Sequence, residues 1–201
     1  MKFKSILLIF LLFIIYFTFN SFSYSRSISN NLEENLFRLR VVANSDSEID
    51  QNLKIQVRNN ILNYLSQFNF SNKTETISHL QNHKSDIENI ISRTITDNGF
   101  DYTFEYEISN SFYPTKKYHT VTLPSGNYDG LQIKLGKANG QNWWCILFPP
   151  MCLIDSSTCK LEEDSNALLS SNLNNESNNV IQSSEFNYKF KFKIIDFFNN
   201  L

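Results

Sequence analysis

At 201 residues and a formal charge of −2, from 18 basic and 20 acidic side chains, the chain has room for one medium domain with appendages. The charges are scattered, so the basic face expected of a nucleic-acid binder is missing. Hydrophobic residues make up 41 % and aromatics 14 %, which is too much apolar surface for wholesale disorder.

The N-terminus has the layout of an export signal. Lys2 and Lys4 precede an uncharged apolar run from Ser5 to Phe19, and polar residues take over from Asn20 to Ser25. At ~1.5 Å per residue that run reaches roughly 22 Å, short of a ~30 Å hydrocarbon core. Residues 1–25 are therefore expected to be a secretion signal or a short anchor. Ser21, Ser23 and Ser25 supply small residues for a cleavage point.

After a polar connector, Phe37, Leu39 and Val41 alternate with Arg38, Arg40 and Val42, which predicts a first strand with both arginines on its outward face. Asn44-Ser45-Asp46-Ser47 breaks it. Ser47 with Asp50, or Ser45 with Glu48, then resembles a capping box. Ile49, Leu53, Val57, Ile61 and Leu65 recur every four residues, predicting a helix whose Lys54, Gln56, Arg58 and Asn63 point elsewhere. A second helix is expected over Thr74–Asp97, with Ile77, Leu80, Ile87, Ile91 and Ile95 on one side and Gly99 at its stop. Phe100 to Ile108 alternates cleanly as a half-buried strand.

Glycines and prolines then punctuate short strands around Val121, from Leu131 to Leu135 and from Trp143 to Phe148, with a hairpin predicted at Gly136–Gly140. Residues 156–185 are rich in Ser, Asn and Glu and read as a low-complexity loop with at most a helical turn. Alternation from Phe186 to Ile194 predicts a closing strand in the tail 186–201. The order of elements argues for an α+β domain over residues 36–155: a largely antiparallel sheet with two helices packed on one face.

Candidate chemistry is sparse. Cys145, Cys152 and Cys159 lie seven apart, and in an exported chain Cys145 can bridge Cys152 if Pro149-Pro150 reverses the backbone; otherwise they are buried small hydrophobes and a spare thiol. His79 and His83 have the spacing of two ligands on one helical face, yet neither the residues around them nor the cysteine spacing fits a zinc site. Asp46 and Asp50 could be paired carboxylates of a secreted hydrolase or cell-wall enzyme. Helix capping explains both without a nucleophile, a phosphate loop or a metal cluster, and no catalytic residue, metal or cofactor is expected. On a strand, Trp143 and Trp144 must face opposite ways, so one packs inside while the other meets a covering element or a partner.

The stretch NWWCILFPPMC at 142–152, with RLRVVANSDSEIDQNLKIQVR at 38–58 and FYPTKKYHTVTLPSGNYDGLQIKLGKANG at 112–140, resembles the stage II sporulation protein R family over about Leu36–Asp155. The resemblance implies a protein made in the forespore and exported into the space between forespore and mother-cell membranes. There it would trigger a membrane-embedded aspartic protease of the mother cell that processes pro-sigma-E. It implies a protein partner, no nucleic acid, and membrane contact only through the N-terminal segment. The family supplies no contact map. On physical grounds the expected partner-binding residues are Asn142, Trp143 and Trp144 as an aromatic anchor, Pro149 and Pro150 as a stiff edge, and Arg38 and Arg40 facing receptor carboxylates, although a solvated strand face also accounts for the arginines.

Overall fold

The computed structural model describes residues 2–118, 121–151 and 163–182. In chain order the elements are α1 (Lys2–Asn35), β1 (Phe37–Val42), α2 (Glu48–Leu65), α3 (Lys73–Asn82), α4 (Lys84–Asp97), β2 (Phe104–Tyr113), β3 (Lys116–Tyr118), β4 (Val121–Leu123), β5 (Gly126–Leu135), β6 (Asn142–Phe148), α5 (Glu163–Asn172) and α6 (Asn175–Gln182). The fold is α+β. The main sheet runs β2-β5-β1-β6, and β3 and β4 form a separate two-stranded sheet.

The main sheet is mixed: β1 and β5 are parallel, whereas β2–β5 and β1–β6 are antiparallel. Because β1 lies between β5 and β6, the expected hairpin at Gly136–Gly140 is instead a loop that steps over the end of β1. Alternation along each strand sorts side chains to two faces. Leu39, Val41, Leu131, Ile133, Leu135, Cys145 and Leu147 pack under α2, α3 and α4 through Leu53, Val57, Ile61, Leu80, Ile87, Ile91 and Ile95.

Three helices cover this face where two were expected. The Thr74–Asp97 pattern divides at His83, which takes a non-helical conformation (φ −106°, ψ 25°) between α3 and α4. Ser47 is the N-cap of α2, its side chain accepting from the Asp50 N–H at 3.3 Å. The α2 face is rotated from the predicted one. Ile49 is exposed while Lys54 and Arg58 are buried, because the helix base leans over the β5–β6 loop and Trp143.

The opposite face carries a second, smaller core built from Ile28, Leu32 and Leu36, Val121 and Leu123, Tyr113, Tyr128 and Ile146, Met151, and Leu169, Leu173 and Ile181. Two expectations change here. The polar connector before β1 is the helical end of α1, with Ile28 and Leu32 in this core, and the Lys73 ammonium donates to the Glu33 carbonyl at 2.6 Å beside its 2.7 Å ion pair with Asp129. The stretch read as a loop contains α5 and α6, because Leu169, Leu173 and Ile181 find apolar partners that the Ser/Asn-rich sequence hides. The remainder of 156–185 and the predicted closing strand lie outside the described residues.

From Phe3 to Phe22 the apolar side chains of α1 are exposed, except for half-buried Phe17. The helix is long and apolar enough to cross a membrane, a test that an N-terminal export signal also meets.

Candidate partner-binding face of the sheet

Sheet register brings Glu107, Gln132, Arg40 and Trp144 into one row across β2, β5, β1 and β6. They lie on the face away from the helices, where the second core covers only part of the sheet. The Arg40 guanidinium lies 5.0 Å from the Trp144 ring centre, donates from Nε to Asn142 Oδ1 at 2.8 Å, and reaches Gln132 Oε1 from Nη1 at 3.4 Å. Gln132 in turn donates to the Ser109 and Ser111 hydroxyls at 2.8 and 3.1 Å. One polar chain therefore crosses all four strands and fixes a half-buried arginine on a tryptophan. A cation held this way loses little entropy on meeting a partner, and Arg and Trp are frequent interface anchors.

Arg38, two residues along β1, departs from expectation. It is fully buried rather than solvated, because the end of α1 and the β3–β4 pair roof this end of the face. Its guanidinium lies 4.6 Å from the Tyr113 ring centre and 5.1 Å from that of Tyr128, and Nη2 donates to the Tyr118 hydroxyl at 3.0 Å. Burial pushes the Tyr113 and Tyr128 phenols up to about 12, so neither ring supplies a negative charge near neutrality. Gly130, opposite Arg38, must lack a side chain: a Cβ there would lie 2.0 Å from the Tyr113 oxygen.

The two tryptophans separate as the strand period requires. Trp143 packs on the helix-side core, roofed by Arg58 at 4.0 Å, while Trp144 meets the second core and the Tyr113 ring at 5.1 Å. Both are half-buried. Pro149 is buried after a cis Phe148–Pro149 bond and Pro150 is half-buried, so only Pro150 presents any edge. The structure thus brings Arg40, Asn142 and Trp144 together, buries Arg38 and Pro149, and sets half-buried Trp143 on the helix side of the sheet. Cys145 is disulfide-bonded; Cys152 and Cys159 lie outside the described residues.

Asp46 and Asp50 serve the loops that end β1 and β5. Asp46 accepts from the Gln141 N–H at 2.7 Å, and Asp50 accepts from Asn44 at 2.9 Å and from Ser45 and Tyr102 at 2.5 Å each. Burial opposes ionisation of Asp50, yet these bonds outweigh it and hold the carboxyl below its usual range. The same bond is the main reason that the Tyr102 phenol rises to about 12. Asn44 also accepts from the Lys137 N–H, and a Cβ on Gly140 would lie 2.2 Å from the Ser45 carbonyl oxygen, so this is a closed junction between loops. His79 and His83 stack at 4.3 Å rather than converging on a point, with His83 beside Asp86 at 3.0 Å.

Sequence reasoning missed Gln132, Tyr113, Tyr118, Tyr128 and Arg58. Gln132 fell within the predicted Leu131–Leu135 strand and Tyr113 beyond the predicted Phe100–Ile108 strand, and only the strand order reveals which arginine each one meets.

The family model for stage II sporulation protein R matches residues 33–158. A relative described as stage II sporulation protein R, from Bacillus subtilis (strain 168), is 31 % identical over 141 residues, covering 68 % of this chain and 63 % of its own length. The chain thus spans somewhat less than two thirds of that relative. No solved structure matches. With the Ala43–Ser47 junction, the Trp143–Trp144 strand and both arginines of β1 all inside the matched region, the chain belongs to the stage II sporulation protein R family.

Proposed function

We propose that this protein is an exported sporulation signal that works by contact rather than turnover. Made in the forespore and delivered into the space between the two membranes, it triggers a membrane-embedded aspartic protease of the mother cell to process pro-sigma-E. The observation that carries this reading is α1, an N-terminal helix whose apolar side chains, Phe17 apart, are exposed from Phe3 to Phe22, leading into a folded domain of a sporulation family. Contact is made by the open part of the sheet, where half-buried Arg40 is held on Trp144 by Asn142 and Gln132. Asp46 and Asp50 have their oxygens engaged by loop donors, which gives them a structural duty.

The test is reconstitution: co-expression of the protease and pro-sigma-E with and without this chain, followed by immunoblotting for the cleaved factor. Cleavage that requires the chain supports the proposal. Equal cleavage without it, or turnover of a substrate by the chain alone, overturns it.

A further inference from the structure

β2 is an outer strand. Among the described residues its one neighbour is β5, which leaves the other side of the ten-residue strand without a ladder partner. Its two faces differ in kind. On the helix side Phe104, Tyr106 and Ile108 sit half-buried at the rim of the main core, and Phe112 beyond them is 63 % exposed. On the other face Glu105 and Glu107 are exposed. Lys134 of β5 pairs with Glu105 at 2.7 Å, whereas Glu107 has no ion pair among the described residues. A long open edge bordered by half-wet aromatic rings is a template for one more strand, and sheets in soluble domains cover or blunt such edges.

The end of the chain, outside the region matched by the family, carries the complementary alternation: apolar at Phe186, Tyr188, Phe190, Phe192 and Ile194, basic at Lys189, Lys191 and Lys193. We propose that residues 186–194 add to the open edge of β2 as an antiparallel fifth strand, with Phe192 opposite Tyr106 and Lys191 opposite Glu107. Directly opposite residues share a face. In this register Phe190 meets Ile108, Phe186 covers Phe112, and Lys193 joins Glu105. A slip of one residue would turn the lysines to the apolar side. A slip of two either bares Phe112 or sets Ile195 opposite Glu105. The direction follows from where the described chain ends. Ile181, in the last turn of α6, shares the second core with Tyr113 at the end of β2. Four peptide steps from Gln182 to Phe186 reach at most roughly 14 Å, so the segment enters at that end and runs back towards Phe104.

The test uses the full-length chain in detergent, with disulfide capture and hydrogen exchange. Glu107→Cys combined with Lys191→Cys should close a bridge within one chain on mild oxidation, read by peptide mass mapping, because opposite Cα atoms lie within ~5.5 Å. Glu107→Cys combined with Lys189→Cys, two positions out of register, should not, since diagonal neighbours lie about 7–8 Å apart. Amides of 186–194 should exchange at least about tenfold more slowly than those of an unstructured chain. Glu107→Lys should speed that exchange about threefold or more, and adding Lys191→Glu should restore it, because the swap rebuilds an opposite-charge pair. Equal bridging by both cysteine pairs, bridging only between a labelled and an unlabelled copy, or exchange of 186–194 at the unstructured rate would overturn the proposal. So would a Glu107→Lys defect that Lys191→Glu leaves unrepaired.

Discussion

Asp50→Asn tests whether the Ala43–Ser47 turn is architecture or chemistry. The carboxylate is 3 % exposed and takes three side-chain hydrogen bonds, from Asn44 and Ser45 on Oδ2 and from Tyr102 on Oδ1. A hydrogen bond to a charged group contributes about 1.5–3 kcal/mol net, and an amide keeps one acceptor oxygen while turning an NH2 towards either the Tyr102 hydroxyl or the Ser45 hydroxyl and the Asn44 amide. Allowing for non-additivity, the expected loss is about 2–4 kcal/mol. The pH dependence follows from the lowered pKa. A depressed carboxyl adds stability above its unfolded value of about 4, and that stability is lost as pH falls through the folded value. Asn lacks this acid limb. Pulse proteolysis in urea on the detergent-solubilised full-length chain, at neutral pH and at about pH 3, measures both effects. A change under about 0.5 kcal/mol would refute the account of the junction. A normally folded variant that had lost all processing would give Asp50 a role beyond structure and revive the hydrolase.

Other outcomes follow from the two faces of the sheet. Trp144→Ala and Arg40→Ala should leave a folded, exported protein with processing reduced about tenfold or more, whereas Trp143→Ala should cost about 2–4 kcal/mol of stability by leaving a gap under Arg58; urea midpoints beside processing blots separate the two. Leu32→Ala, at a fully buried position in the second core, should cost about 2–5 kcal/mol, while a polar substitution at exposed Phe13 should alter membrane association and leave the domain folded. Gly140→Ala sets a methyl against the Ser45 carbonyl and should lower Tm by several degrees, by roughly 2 kcal/mol of forced loop separation. Burial, then the adjacent His83, holds His79 below the usual histidine range, against the pull of Asp86 and Glu75. The folded state thus binds fewer protons than the unfolded one, and stability should fall as pH drops below about 6.5. Replacing His79 with Phe should flatten Tm across about pH 7.5 to 5.5.

Much of the architecture was legible because it is written in short-range periodicity. The four-residue recurrence from Leu53 to Leu65, the alternation of Phe104, Tyr106 and Ile108, and the Ser47 cap each act within one or two turns of chain, so composition and spacing set them without knowledge of neighbours. The export-signal layout of the N-terminus is also local. The candidate site was legible only in part: Arg40, Asn142 and Trp144 were each identifiable as anchors, but the Gln132 that joins Arg40 to β2 was not.

Sequence alone determined β1, the length of α2 and the alternation that opens β2, and that Arg38 and Arg40 share one side of β1. Tertiary structure decided that one arginine is sealed beneath Tyr113 and Tyr128 while the other stays at the open end of the face. Two positions on one strand face are equivalent to any pattern of period two. They differ only in what crosses above them, and the end of α1 and the β3–β4 pair arrive there from segments up to 80 residues distant along the chain, as the bond from Arg38 to Tyr118 shows.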